Sequence, residues 1–468
     1  MNKTIDVLKV RVGLSDKIPD PADIDTTGKW YFLDHVSSGL VHFNHTKGKF
    51  EGLLAEAWVS HPSGAHTFTL RADAKFHDGT PITAYDVEAS IKRLLIKRTS
   101  THFPLWDYIE DCDKIKSISD PCAGLKAINN HTVELRLKMK VESFYLQLAS
   151  PETGIWWKQD LLNSDQEFKP TKFSGPYFIE KYQDTLAVVK RNELNPISQK
   201  FPNSPKEIQF ITNPGDKATG ALIEGQLDVV VRIHNPLGEP DWKSKGISIF
   251  ESSPSTIVFL RGSNPRGQNL VGRDLLEKMW QTPLRDEAFA AETFLPFNRG
   301  YSLKREELLS QLPSQSKKHI KVAVPWNYFS DNFLNVMTAA GQDIGVTVEL
   351  LRLDKQAWYD AVEQKGDLSH FDYVLIPYAA SERYPAVQLR YITGSKVESP
   401  FDLKRAESPD LSEEKTQVLR DYQKWLTKNQ HVVPLFFLRS QIAYSSKLDV
   451  GDQPPNDAEV ELWRMTKK

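Results

Sequence analysis

The chain has 468 residues, enough for two or three structural units that each bury a core. Hydrophobic residues make up 40% and charged residues 26%, proportions that exclude a disordered or fibrous chain. Lys and Arg number 59 against 61 Asp and Glu, and the formal charge of −2 gives no general attraction to nucleic acid or to an anionic membrane.

The N-terminus, MNKTIDVLKVRVG, lacks the apolar core of a signal peptide, and no apolar run approaches the ~20 residues that span a bilayer. A cytosolic protein and a mature exported form, its leader replaced by Met1, both fit. Val7, Lys9 and Arg11 alternate against Leu8, Val10 and Val12, which predicts a strand. HTFTLR and TVELRLKM alternate cleanly and predict antiparallel strands.

Between them lies KFHDGTPITAYDVEASIKRLL. Its His77-Asp78-Gly79 reads as a tight turn, because Gly79 can take a positive φ. Pro81 keeps Thr80 extended. Thr83 is placed to cap a helix, with Asp86 completing an acidic variant of the capping box. Val87, Ile91, Leu94 and Leu95 then form one buried face. Each unusual residue has a structural task, and no nucleophile stands near His77-Asp78, so the segment reads as scaffold.

The two cysteines, Cys112 and Cys122, share one polar loop, IEDCDKIKSISDPCAGL. They predict a local disulfide worth roughly 2–3 kcal/mol and an oxidising compartment; two unrelated thiols are the alternative. No metal-binding pattern accompanies them, and His42 and His45 in HFNH fall in a turn-like run.

EIQFITNPGDKATGALIEGQLDVVVRI reads as strand, helix and strand, with Asp216 near the helix start and Gly225 as its stop. From Lys318 to Tyr378 the chain alternates strand, helix, strand, helix, strand: KHIKVAVPW, a helix bearing Phe333, Val336, Met337, Ala340 and Ile344 with Ser330 as cap, VTVELLRL, a helix capped by Asp354, and FDYVLIPY. Such alternation predicts parallel βαβ units. Each of two regions thus builds its own parallel sheet. Phe401–Glu414 reads as loop. Leu411–Lys428 reads as an amphipathic helix with Val418, Leu419, Tyr422 and Leu426 on one side, and VVPLFFL as a closing strand.

Residues Leu54-Ala55-Glu56-Ala57-Trp58, Leu70-Arg71 and Phe76 through Val87 closely resemble the signature of the family 5 extracellular solute-binding proteins. Those proteins are the binding components of importers for peptides, nickel and related ligands. FSGPYFIEKY resembles the family's Gly-Thr-Gly-Pro-Tyr segment, with Phe173-Ser174 in place of Gly-Thr, and IEGQLDVV resembles its Ser-Gly-x-x-Asp-Val. Ser263–Tyr301 is where the likeness is weakest.

The resemblance implies an α/β, two-lobe periplasmic-binding-protein fold of class II (Venus-flytrap), with an additional subdomain on lobe one. The lobe I core is expected at 1–32, 170–255 and 432–468, the subdomain at 33–169 and lobe II at 256–431, with hinge strands near 256–261 and 432–438. It also implies the substrate-binding component of an ABC importer, capturing a peptide or peptide-like molecule between the lobes by hinge closure, without chemistry or cofactor. The expected partners are that ligand and a membrane ABC permease, with no nucleic acid, and the expected state is a monomer in the periplasm or at the cell surface. A ligand sensor or chaperone-like binder of the same fold is the alternative. No Gly-x-Ser-x-Gly, His-Glu-x-x-His or P-loop supports an enzyme.

For the ligand site, aligning the family's proline on Pro385 puts Tyr378 at its aromatic position. Ser381 then stands where peptide-binding relatives carry the acid that holds a peptide amine, with Glu382 adjacent. A buried ammonium needs a charge partner that Ser381 cannot supply. Arg383 and Arg390 are candidates for an anionic ligand group. Trp156 and Trp157, and Trp106, are candidates for an aromatic wall, with burial in the subdomain core as the other reading.

Overall fold

The computed structural model describes residues 3–468 apart from 15, 25, 98–108, 139–143, 163–166, 213–216, 234–241, 264–269, 282–287, 292, 296–299, 327, 330, 363, 366–367, 380–384, 395–396, 404–412 and 454–459. The chain divides into two units, the first holding Met1–Arg232, Pro240–Phe250 and Ile442–Lys468, the second Ile233–Glu239 and Glu251–Gln441.

In the first unit the strand Val7–Arg11 lies between Glu207–Ile211 and Val229–Ile233 and is parallel to both. Leu8 and Val10 are fully buried on one face, because alternate residues of a strand point to opposite sides. Antiparallel strands Leu186–Arg191 and Tyr177–Tyr182 extend the sheet on one side. The helix Lys217–Ile223 ends at Gly225, whose φ of +72° is the left-handed conformation that glycine takes without strain. Asp216 lies outside the described residues.

Within the same unit, strands Ala55–Ser60, Ala65–Leu70, Thr132–Arg136 and Leu125–Asn129 form a four-stranded antiparallel sheet in that order. The helix Ala84–Lys97 completes its core with Val87, Ile91, Leu94 and Leu95, all at most 2% exposed. Asp86 accepts from the Thr83 N–H at 2.8 Å and hydroxyl at 2.7 Å, so the carboxylate serves the residue before the helix. Cys112 and Cys122 are disulfide-bonded, with Cα atoms 5.0 Å apart.

The helix Thr27–Val36 is absent from the sequence reading. Its Trp30-Tyr31-Phe32 run carries strand-favouring aromatics, and only the Thr26 side chain, accepting from the Lys29 N–H at 3.4 Å, marks the start. Likewise His42 lies on a strand, Val41–Asn44, paired with Lys49–Gly52, where a turn was expected.

The second unit has its own core. Strand His319–Val324 is parallel to Thr347–Arg352 and to Tyr373–Ala379. The helices Asp331–Asp343 and Lys355–Val362 connect them, the latter capped by Asp354 accepting from the Ala357 N–H at 2.9 Å. Phe333, Val336, Met337 and Ala340 are buried as the helical spacing predicts; Ser330 lies outside the described residues. The helix Glu413–Lys428 buries Leu419, Tyr422 and Leu426.

The chain passes between the units along two long strands. Ile247–Gly262 starts in the first unit and runs on into the second, where it pairs antiparallel with Tyr373–Ala379. Val432–Ser445 makes the return, entering the first unit at Ile442.

Candidate ligand-binding site

In the second unit, Tyr378 is at the carboxyl end of the parallel strand Tyr373–Ala379, in register with Ile257 of the crossing strand. Carboxyl ends of parallel strands are where α/β sheets take ligands. The half-buried ring stacks on Tyr391, with centroids 4.6 Å apart and planes 27° apart. Tyr391 comes from the helix Pro385–Thr393, which Pro385 opens at the position where its missing N–H costs nothing. Burial, with the neighbouring Tyr391, pushes the Tyr378 hydroxyl's pKa well above its usual value, so it remains a neutral donor. Arg390 is in the last turn of the same helix. Ser381, Glu382 and Arg383 lie outside the described residues, as does Trp106.

In the first unit, Trp156 and Trp157 part company. Trp156 is 1% exposed and meets Phe168 edge-on, with centroids at 4.9 Å. Its backbone N–H donates to Ser90 Oγ at 2.9 Å, and its indole N–H has no acceptor among the described residues. Adjacent residues in extended chain point oppositely, so one tryptophan enters the core and the other does not. Trp157 is half-buried, with Lys172 Nζ over its ring at 4.1 Å. Of the two, Trp157 alone keeps part of its surface exposed.

Lys172 links Trp157 to the His-Asp-Gly turn: its ammonium reaches Asp78 at 2.9 Å and Thr80 Oγ1 at 2.5 Å. Asp78 also accepts from the Thr80 N–H at 2.9 Å and the Thr80 hydroxyl at 3.0 Å. Burial by itself would raise the Asp78 pKa, but the bonds from Lys172 and Thr80 outweigh it and hold the group at about 2. The His77 ring stacks on Phe178 at 4.6 Å, and its Nδ1 accepts from the Phe173 N–H at 3.3 Å. Both side chains are committed to joining the turn to the segment at Lys172–Phe178. Among the described residues no group of three or more His, Cys, Asp or Glu is arranged to hold a metal ion. His42 Nε2 stands 3.4 Å from Glu461 Oε1.

Two site features were not legible as such in the sequence. The Tyr391 partner of Tyr378 is thirteen positions downstream on another element, and only the fold joins them. Arg11 alternates with buried residues as a strand's outer side chain should, yet its Nε is buried without an acceptor among the described residues.

The family model "Bacterial extracellular solute-binding proteins, family 5 Middle" matches residues 49–289. The periplasmic oligopeptide-binding protein OppA of Escherichia coli is 34% identical over 137 residues, 26% of this chain and 25% of that protein. The periplasmic murein peptide-binding protein MppA of Escherichia coli is 26% identical over 233 residues, 45% of this chain and 40% of that protein. These alignments thus span less than half the length of either curated relative. The solved structure of the Escherichia coli murein tripeptide binding protein MppA superposes over 100% of this chain and 99% of its own, with a TM-score of 0.79 at 18% identity. The two-lobe α/β fold of periplasmic binding proteins is therefore also the fold here. No helix among the described residues is long and apolar enough to cross a membrane.

Proposed function

This chain belongs to the bacterial extracellular solute-binding proteins of family 5, and on that premise we propose that it is the substrate-binding component of an ABC importer. It captures a peptide or peptide-like small molecule and releases it unaltered, acting as a monomer that a membrane permease reads. Its similarity to periplasmic relatives and its two cysteines support residence in the periplasm or at the cell surface.

One observation carries the reading. Two α/β units with separate cores share two long strands, Ile247–Gly262 and Val432–Ser445, each of which runs from one unit into the other. Two strands bend at far lower cost than a packed core, and hinged closure of domains on a ligand is an established two-state motion. A ligand drives such closure only by binding the closed form better.

Tyr378 and Trp157 are the proposed aromatic contacts, with Ser381, Glu382, Arg383 and Trp106 as further candidates. Trp156, buried in a core of the first unit, is not among them. With Ser381 where the peptide-binding relatives carry an acid, the favoured ligand has no free α-amine to neutralise, unless Glu382 provides the charge.

Native mass spectrometry of protein purified without refolding tests the proposal. One small molecule per chain is expected, recovered chemically unchanged, and solution scattering should give a smaller radius with it than without. Conversion of the bound molecule to a product would make the protein an enzyme. A chain that carries nothing, and keeps one radius with every peptide mixture offered, would refute capture.

A further inference from the structure

We infer that Arg11 anchors an anionic group, a carboxylate, of the captured molecule; the inference rests on the capture reading above. Arg11 closes the strand Val7–Arg11, which has parallel neighbours on both sides, in register with Ile211 on one and Val230 on the other. It therefore stands at the carboxyl end of the parallel part of the sheet, where α/β folds receive ligands.

The side chain is half-buried, and its Nε is shut off from water with no acceptor among the described residues. Burial pulls the guanidinium pKa down, and among the described residues no charge opposes that. Other enclosed arginines are provided for. Arg93 forms a fork on Asp20 at 2.7 and 2.5 Å. Arg191 bonds Glu193 and the carbonyls of Pro202 and Ser204. Arg261 donates to three carbonyls. Arg11 Nε has no such acceptor among the described residues, and a desolvated cation with no counter-charge costs stability. Such a cost is tolerated where a ligand brings the missing charge, and the planar guanidinium is shaped for two parallel bonds to a carboxylate.

The surroundings are held still. The Val12 N–H donates to Ile211 O at 3.1 Å, the Leu14 N–H to Thr212 Oγ1 at 3.1 Å, and the Thr212 hydroxyl to Val12 O at 3.2 Å. Two residues on, a Cβ added at Gly13 would meet no described atom within 4 Å.

The test compares wild type with Arg11→Met and Arg11→Lys, using N-acetyl-trialanine, its C-terminal amide and inorganic phosphate as probes. Calorimetric titration should show wild type binding the acid about tenfold or more tighter than the amide. Arg11→Met should bind both alike, at the wild-type affinity for the amide, and Arg11→Lys should keep part of the preference. Without ligand, Arg11→Met should melt at the wild-type temperature or above it, since the unpaired cation is gone. Phosphate should raise the melting temperature of wild type and leave that of Arg11→Met unmoved. A preference that survives in Arg11→Met, or none in wild type, overturns the inference, as does a phosphate effect equal in both. If neither peptide binds but the Arg11-dependent phosphate shift is present, the anion site stands and the peptide reading falls. If that shift is missing too, the anion site falls with it.

Discussion

His35 lies fully buried on the helix Thr27–Val36, its ring 4.9 Å from Trp463 and 5.7 Å from Phe210. Nδ1 is 2.7 Å from the Tyr31 carbonyl, which can only accept, so Nδ1 carries the proton and Nε2 is left buried without a partner. Burial lowers the pKa from 6.5 to about 4, against a smaller opposing effect of the Tyr31 bond. A histidine whose folded pKa lies below its unfolded one contributes its full stability above the unfolded value. That stability is lost as pH falls toward the folded value, here between 6.5 and about 4. The expected loss is roughly 3 kcal/mol, and His35→Phe should flatten the urea-melt stability over that range. An unchanged acid slope in the variant would assign the sensitivity elsewhere. Arg261, also buried, takes the opposite route and stays charged by donating to Val362 O at 2.7 Å, Tyr391 O at 2.9 Å and Ile392 O at 2.8 Å. These carbonyls end the helices Lys355–Val362 and Pro385–Thr393, where helix dipoles favour a cation. Arg261→Met strands all three and should cost about 3 kcal/mol or more in chemical denaturation; a loss under about 1 kcal/mol would contradict this account.

The helix Ala84–Lys97 shows how one carboxylate can govern an element. Asp86 accepts from Thr83 twice and, through Oδ1, from the Lys158 N–H at 2.9 Å, so the same group starts this helix and fastens the start of the short helix Lys158–Leu162. Asp86→Ala should therefore exceed an ordinary cap loss and cost about 2 kcal/mol in thermal or urea melts. A cost below about 0.5 kcal/mol would mean solvent replaces those bonds readily. The loop that follows is stapled by Cys112–Cys122, with a sequence separation of 10. Closing so short a loop restricts the unfolded chain by roughly 2–3 kcal/mol, so the double Cys→Ser variant should melt lower by that amount and become insensitive to reductant. Equal melting of oxidised and reduced wild type would remove the staple's role. Elements of this kind were legible because their signals are local: Thr83 with Asp86, Asp354 ahead of its helix, and the alternation in HTFTLR. Thr27–Val36 was not, because Trp30, Tyr31 and Phe32 favour strands when read alone, and it is the packing of Phe32 against Tyr182 and Phe210 that favours the helix.

At the scale of the molecule, each unit has its own hydrophobic core, and the variants above divide between them. Calorimetry of the ligand-free protein should resolve two transitions. Acid and reductant should lower the one belonging to the first unit, and Arg261→Met the other. A single transition moved alike by all three would show that the cores melt as one. The sequence by itself determined the fold class, the parallel strand pairings of each region (though not that both sets belong to one eleven-stranded sheet), the His-Asp-Gly scaffold and the family. Each of these is written in periodicity, in turn chemistry or in runs of adjacent residues, where the physics acts over a few positions. Tertiary structure alone decided that Trp156 enters the core while Trp157 does not, that Tyr378 meets Tyr391, and that Arg11 Nε is buried with no acceptor among the described residues. Burial and pairing of a side chain depend on what the folded chain brings beside it from far along the sequence, and no local pattern records that.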